Sequence, residues 1–237
     1  MKNNAHKKKI SAPFFELGPK SYLYGDDVLS LAIEAEKASA KYNIDVIFTS
    51  PLIDLRRIVE ATEKLFIFAP HMDPIPVGRG LADTLPESIK AAGAHGIILN
   101  HCEKPLSLSV LNQTIIRAKQ LDLITMVCAD SIAEARAVAC LQPDIIAAEQ
   151  PELISSGKTS STERVEETFK AIKSINDNVL ILQAAGISSG KDVYNTILAG
   201  AHASGSSSGI IHSPNYADMI DEMVCAVRQA WDDSRKK

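Results

Sequence analysis

The hexapeptide Asn100-His101-Cys102-Glu103-Lys104-Pro105 follows directly on the apolar run GIIL. Titratable side chains at the mouth of a buried run cost desolvation free energy unless they are solvated or belong to a site. Comparable residues end other apolar runs: Lys20 behind ELGP, His71 and Asp73 behind LFIFAP, and Glu149 behind IIAA. Glu149 leads into QPELISSGKT, a loop long enough to close over a ligand. A carboxylate at the edge of an apolar site holds its proton more tightly, as a general base acting on a C–H next to a carbonyl requires. Two further stretches, AAGISSG and GSSSG, place glycine and serine ahead of helical pattern. Their unobstructed backbone N–H groups make a nest for a phosphate dianion. Cation, imidazole, carboxylate and phosphate nest on one rim would suit a sugar phosphate and proton transfer.

The elements that must bring these groups together are legible as an alternation. Short apolar runs, PFFELG, VIFTSP, LFIFAP, GIILNH, ITMVCAD, IIAAEQ, VLILQAA and the weaker ASGSSSG, read as eight strands. Between them lie segments of helical period, among them DDVLSLAIEAEKASAKY, SVLNQTIIRAKQL, SIAEARAVACL and ERVEETFKAIKSI. Asp130 and Ser131 stand where an N-cap is wanted before IAEARAVA, and Gly200 follows VYNTILA as a helix-ending residue. Strand runs almost free of polar residues imply parallel strands covered by helices. Eight repeats favour a closed (β/α)8 barrel over an open doubly wound sheet, and barrels place active groups at the carboxyl ends of their strands. No linker-like stretch divides the chain, so one domain is expected over residues 13–231, with a basic tail at 1–12 and a polar tail at 232–237.

Composition narrows the partners. A net charge of −4 offers no general attraction for nucleic acid, and the basic clusters HKKK and RKK read as solvated tails. Cys102, Cys128, Cys140 and Cys225 form no C-x-x-C pair, which argues against a zinc knuckle or a disulfide framework and fits a reducing cytoplasm. The sequence has no apolar run of membrane-spanning length and no signal-peptide pattern, so neither membrane insertion nor secretion is expected.

From about Pro13 onward, DLRRIVE, HMDPIPVGRG, LPESIKAAGA, LNHCE, CADSIAEA, EQPELISSGKT, AAGISSGKDV and SSSGI follow one another in an order that resembles the triosephosphate isomerase family, in its short archaeal-type branch. The resemblance implies a TIM barrel and a glutamate that moves a proton between adjacent carbons through an enediolate. A neutral histidine and a lysine polarise the carbonyl, a division of labour for which that family is the standard example. By motif, Glu149 would be the base, His101 the electrophile and Lys20 the electrostatic clamp. Gly18 stands at a substrate-binding position, Ile154 and Ser155 belong to the lid, and Gly186, Ser207 and Ser208 complete the phosphate contacts. Glu103 would support His101 from behind. The resemblance further implies a small phosphorylated sugar as substrate, no metal or other cofactor, and a homodimer or homotetramer.

Three places depart from the family pattern. The strand-one motif, asparagine-any-lysine, reads Gly18-Pro19-Lys20; the proline after the glutamate is Gln150; and the glycine of the phosphate grip is Ser155. The segment GRGLADTLPES also lacks the family's Thr-Gly pair at subunit contacts. These changes leave the proton-transfer groups in place and alter their surroundings. Rival readings are therefore the same proton shift on another small sugar phosphate, such as a tetrulose phosphate, and a phosphometabolite-binding relative without catalysis. A metal-dependent barrel using His71, Asp73, His101 and Glu149 is a weaker rival, because Lys20 stands where such barrels carry H-x-H on strand one.

Overall fold

The structure is a computed structural model and describes residues 9–236. Each expected strand is present: β1 (Phe14–Leu17), β2 (Asp45–Thr49), β3 (Phe66–Ala69), β4 (Gly96–Leu99), β5 (Ile124–Ala129), β6 (Ile145–Ala148), β7 (Leu180–Gln183) and β8 (Ala203–Gly205). All neighbours run parallel, and β1 pairs with both β2 and β8, which closes the barrel. The intervening helices are α1 (Asp26–Tyr42), α2 (Leu55–Ala61), α3 (Pro86–Ala91), α4 (Leu108–Gln120), α5 (Ile132–Cys140), α6 (Thr162–Lys173), α7 (Gly190–Leu198) and the short α8 (Ser208–Ile211), with α9 (Tyr216–Ser234) closing the ring against α7 and α1.

Strand alternation divides the core in two. Phe15, Leu17, Val46, Phe48, Ile67 and Val127 point outward to the helices, while Phe14, Ile47, Phe68, Met126, Ile145 and Leu182 fill the barrel. Packing inside is close: a Cβ on Gly96 would stand 2.5 Å from the Phe68 ring and 2.6 Å from the Ile124 carbonyl. Serine caps start three successive helices, α5, α6 and α7. Ser131 accepts the Glu134 N–H, Ser161 the Arg164 N–H and Ser189 the Asp192 N–H. Of the two capping candidates before α5, Ser131 is the cap. Gly200 lies just beyond α7 with φ +106, a conformation open to glycine at little cost.

The expected tail boundaries need correction at both ends. Ile10 is buried within the apolar interior of the barrel and the Ser11 N–H reaches Asp45 at 3.4 Å, so the last residues assigned to the N-terminal tail belong to the folded body. The amphipathic period of α9 carries it through Ser234, three residues past the expected limit. Residues 1–8 of the basic tail lie outside the described residues. Among the described residues no helix is long and apolar enough to cross a membrane.

Candidate active site

One cavity of about 490 Å3 opens at the carboxyl ends of the strands, within the ~300–1,000 Å3 usual for small-ligand sites. The nine residues to which the resemblance assigns catalytic, substrate or lid roles all line it: Gly18, Lys20, His101, Glu149, Ile154, Ser155, Gly186, Ser207 and Ser208. The parallel topology accounts for this, because every strand delivers its last residues to the same rim.

His101 is held by backbone geometry. Asn100, at the end of β4, adopts φ +59 and ties the turn down through three hydrogen bonds. Its amide donates to the Cys128 carbonyl at 3.1 Å and to Glu134 at 2.8 Å, and its side-chain oxygen accepts the Leu106 N–H at 2.9 Å. Asparagine tolerates this left-handed conformation better than most residues. The Glu103 backbone N–H then donates to His101 Nδ1 at 3.1 Å. A neutral imidazole accepting at Nδ1 carries its proton on Nε2, which faces the Glu149 carboxylate at 3.7 Å. That separation exceeds a hydrogen bond, so both groups can turn to a ligand atom between them. Burial and the Lys20 charge hold the His101 pKa below its ordinary value. The neutral form is therefore favoured, and with it an N–H donor.

Glu149 leaves the end of β6 with its backbone N–H on the Ala129 carbonyl at 3.0 Å. Its side chain is 17% exposed, and burial raises its pKa to about 7 against the opposing pull of Lys20. Lys20 follows β1 in a left-handed turn, φ +48, which is strained for a side chain of this kind. Its ammonium pairs with Glu103 at 2.9 Å, and although burial opposes it, that partner keeps the lysine pKa above normal. Glu103 thus supports the site twice, by its N–H on His101 and by its carboxylate on Lys20.

The end of the cavity that gathers the glycine and serine stretches is built from three segments. Ser207 Oγ donates to the Gly18 carbonyl at 2.6 Å, and the hydroxyls of Ser155 and Ser208 meet at 3.1 Å across the lid. Beneath the lid, Gly186 has φ +80, and a Cβ there would fall 1.8 Å from the Lys158 carbonyl. Only glycine lets the lid rest on the loop after β7. Gly186→Ala is expected to displace the lid and lower kcat/KM by about 10²-fold or more, as misplacement of a closing segment does; steady-state kinetics on a phosphorylated substrate checks it. Gln150, in place of the family's proline, joins the two ends of the lid, its amide donating to Glu152 at 3.1 Å and its oxygen accepting from Ser160 at 2.9 Å.

His71 and Asp73 pair with each other at 3.1 Å, and Asp73 accepts the Thr84 N–H at 2.7 Å, so they anchor the loop after β3. Among the described residues, no three His, Cys, Asp or Glu side chains gather as a metal-binding set. The sequence reading passed over two residues of this site. Asn100 carries the turn that aims His101, and Glu16 places a third carboxylate in the cavity beside Glu149 and Glu103. The signal for Glu16 was available: a charged residue in the middle of the strand run FFEL.

Comparison with known proteins agrees with this geometry. The family model for triosephosphate isomerase matches residues 20–220. The triosephosphate isomerase of Methanothermus fervidus is 34% identical over 220 residues, covering 91% of this chain and 99% of that one. That of Methanocaldococcus jannaschii is 37% identical over 203 residues, 84% of this chain and 92% of its own. In three dimensions, the triosephosphate isomerase from Bartonella henselae superposes with a TM-score of 0.76 at 15% identity, covering 92% of this chain and 99% of that one, a likeness of fold. A match spanning most of the sequence, on a closed barrel of eight parallel strands, establishes that the chain belongs to the triosephosphate isomerase family.

Proposed function

We propose that this protein is an aldose–ketose isomerase that interconverts glyceraldehyde 3-phosphate and dihydroxyacetone phosphate. Glu149 takes the proton from the carbon next to the carbonyl and returns it to the neighbouring carbon. The Nε2–H of neutral His101 hydrogen-bonds the oxygen on which charge develops, and Lys20 stabilises that charge across the cavity. The serine and glycine segments around Gly186, Ser207 and Ser208 hold the phosphate, with Ile154 and Ser155 closing from the lid.

The observation that carries this reading is the pairing of Glu149, its pKa raised to about 7, with an imidazole whose Nδ1 is occupied by a backbone N–H. A base that is half ionised near neutral pH, facing a neutral N–H donor, is suited to abstracting and returning a weakly acidic proton. A coupled assay of triose phosphate interconversion tests it. Saturable turnover without added metal is expected, whereas no conversion at millimolar substrate would overturn it. By resemblance to its family, the protein is further read as a metabolic enzyme of the cytoplasm that acts on a small phosphorylated sugar as a homodimer or homotetramer.

A further inference from the structure

The proton transfer above makes no use of Glu16. Alternation along β1 turns Phe15 and Leu17 outward to the helices and Phe14 and Glu16 inward, so Glu16 forms part of the cavity floor, directly above the apolar layer. Its backbone lies two residues, roughly 6–7 Å of strand, below Gly18. Around it the floor is apolar, with Ile98, Met126, Ala147, Leu182 and Ala184 lining the same space.

Its carboxylate has been left accessible from the cavity. Thr49 Oγ1 donates to Oε1 at 2.7 Å, the only hydrogen bond to this side chain among the described residues. The two neighbours that would cover the oxygens are glycines. A Cβ on Gly205, which pairs with Glu16 in the β1–β8 register, would stand 3.1 Å from Oε2. A Cβ on Gly18 would stand 3.3 Å from Oε1 and 3.1 Å from the Thr49 Cβ. Gly18 is therefore more than a lost asparagine: a side chain there would press on the Glu16–Thr49 pair, which would have to give by a few tenths of an ångström. Lys20 is engaged by Glu103 at 2.9 Å and acts on Glu16 only across space, without a hydrogen bond to it. A deep carboxylate with free lone pairs in an apolar pocket lacks hydrogen-bond donors, and a hydroxyl group supplies them.

We infer that Glu16 and Thr49 form a hydroxyl-binding position at the floor of the cavity, so that the enzyme selects phosphorylated sugars by the hydroxyl at the end remote from the phosphate. This rests on the sugar-phosphate reading of the cavity. It extends that reading by a specificity-determining residue, and by a substrate class in which added hydroxyls toward the floor are favoured over hydrogen or methyl.

Competition binding with two non-reacting phosphates tests it at pH 8: glycerol 3-phosphate, which carries two hydroxyls, and n-propyl phosphate, which carries none. The native protein is expected to prefer glycerol 3-phosphate by ten-fold or more. Glu16→Ala should reduce that preference at least ten-fold while leaving n-propyl phosphate within three-fold of native affinity. Glu16→Gln, which keeps the shape and the Thr49 hydrogen bond, should reduce it at least three-fold. An unchanged preference in either variant would overturn the proposal. Neither result depends on turnover, so a native protein that fails to interconvert triose phosphates overturns the isomerase reading alone. Failure of both phosphates to bind the native protein would overturn the sugar-phosphate reading and this inference together.

Discussion

Glu149→Gln is expected to lower kcat by about 10³-fold, within the ~10²–10⁴ range of a positioned general base, with a smaller change in KM. The same substitution is expected to stabilise the fold at pH 8. Burial raises the Glu149 pKa from 4.5 to about 7, so the folded protein holds this proton through a window in which the unfolded chain has released it. Stability from this group is complete below pH 4.5 and is lost as the pH rises through 7, because ionising the buried carboxyl is costlier in the fold than in water. A displacement of that size corresponds to about 3 kcal/mol, which the uncharged amide recovers above pH 7 and not below pH 4.5. Denaturant unfolding of both proteins at pH 8 and pH 4.5, alongside kinetics, reads the two effects together. A variant less stable than native at pH 8 would mean that the carboxylate is structurally required rather than held for chemistry. Loss of activity with gain of stability is the pattern of a group retained at the expense of the fold.

The barrel itself was plain in the sequence because its signal is repeated. Eight apolar runs alternating with helical pattern leave few architectures, and the GIIL, ITMVCA and IIAA runs fall on strands within a residue or two. His101, Lys20 and Glu149 were visible for a related reason, since polar residues at strand ends have one rim to meet on. Glu16 stood out as a charge inside a strand run, but its strand is only four residues long, FFEL, and so short a run does not reveal which face is inside. Its inward direction follows only once β1 is hydrogen-bonded on both sides and Phe14 is seen filling the barrel. The Asn100 turn was equally out of reach, since its partners Cys128 and Glu134 stand 28 and 34 residues away. Gly186 shows the intermediate case: glycine was expected there for exposed N–H groups, and the structure adds that the Lys158 carbonyl leaves no space for a side chain.

Replacing Lys20 should cost nearly as much activity as replacing the base, and it should move the pH profile in a direction that a structural role would not. The ammonium is 25% exposed and aimed into the cavity, whereas its partner Glu103 is 61% exposed. Removing the lysine therefore leaves its hydrogen-bonded partner solvated, and below pH 7, where Glu149 and Glu16 hold their protons, Lys20→Met should change stability by less than about 1 kcal/mol, as for other partly solvated pairs. In the proposed reaction, however, the cation would stabilise charge where solvent is excluded, and loss of one such group costs about 10²–10³-fold in kcat. Lys20 also lowers the proton affinity of Glu149, of Glu16 and of His101. Without it all three protonate more readily, so the acid limb of kcat/KM must shift to higher pH from its native position near 7. Profiles of native and Lys20→Met protein between pH 5.5 and 9 are the measurement. A loss below ten-fold with an unmoved acid limb would show that Lys20 serves only to hold Glu103. A large loss with the limb displaced upward would place the charge beside the base, as the proposed proton transfer requires.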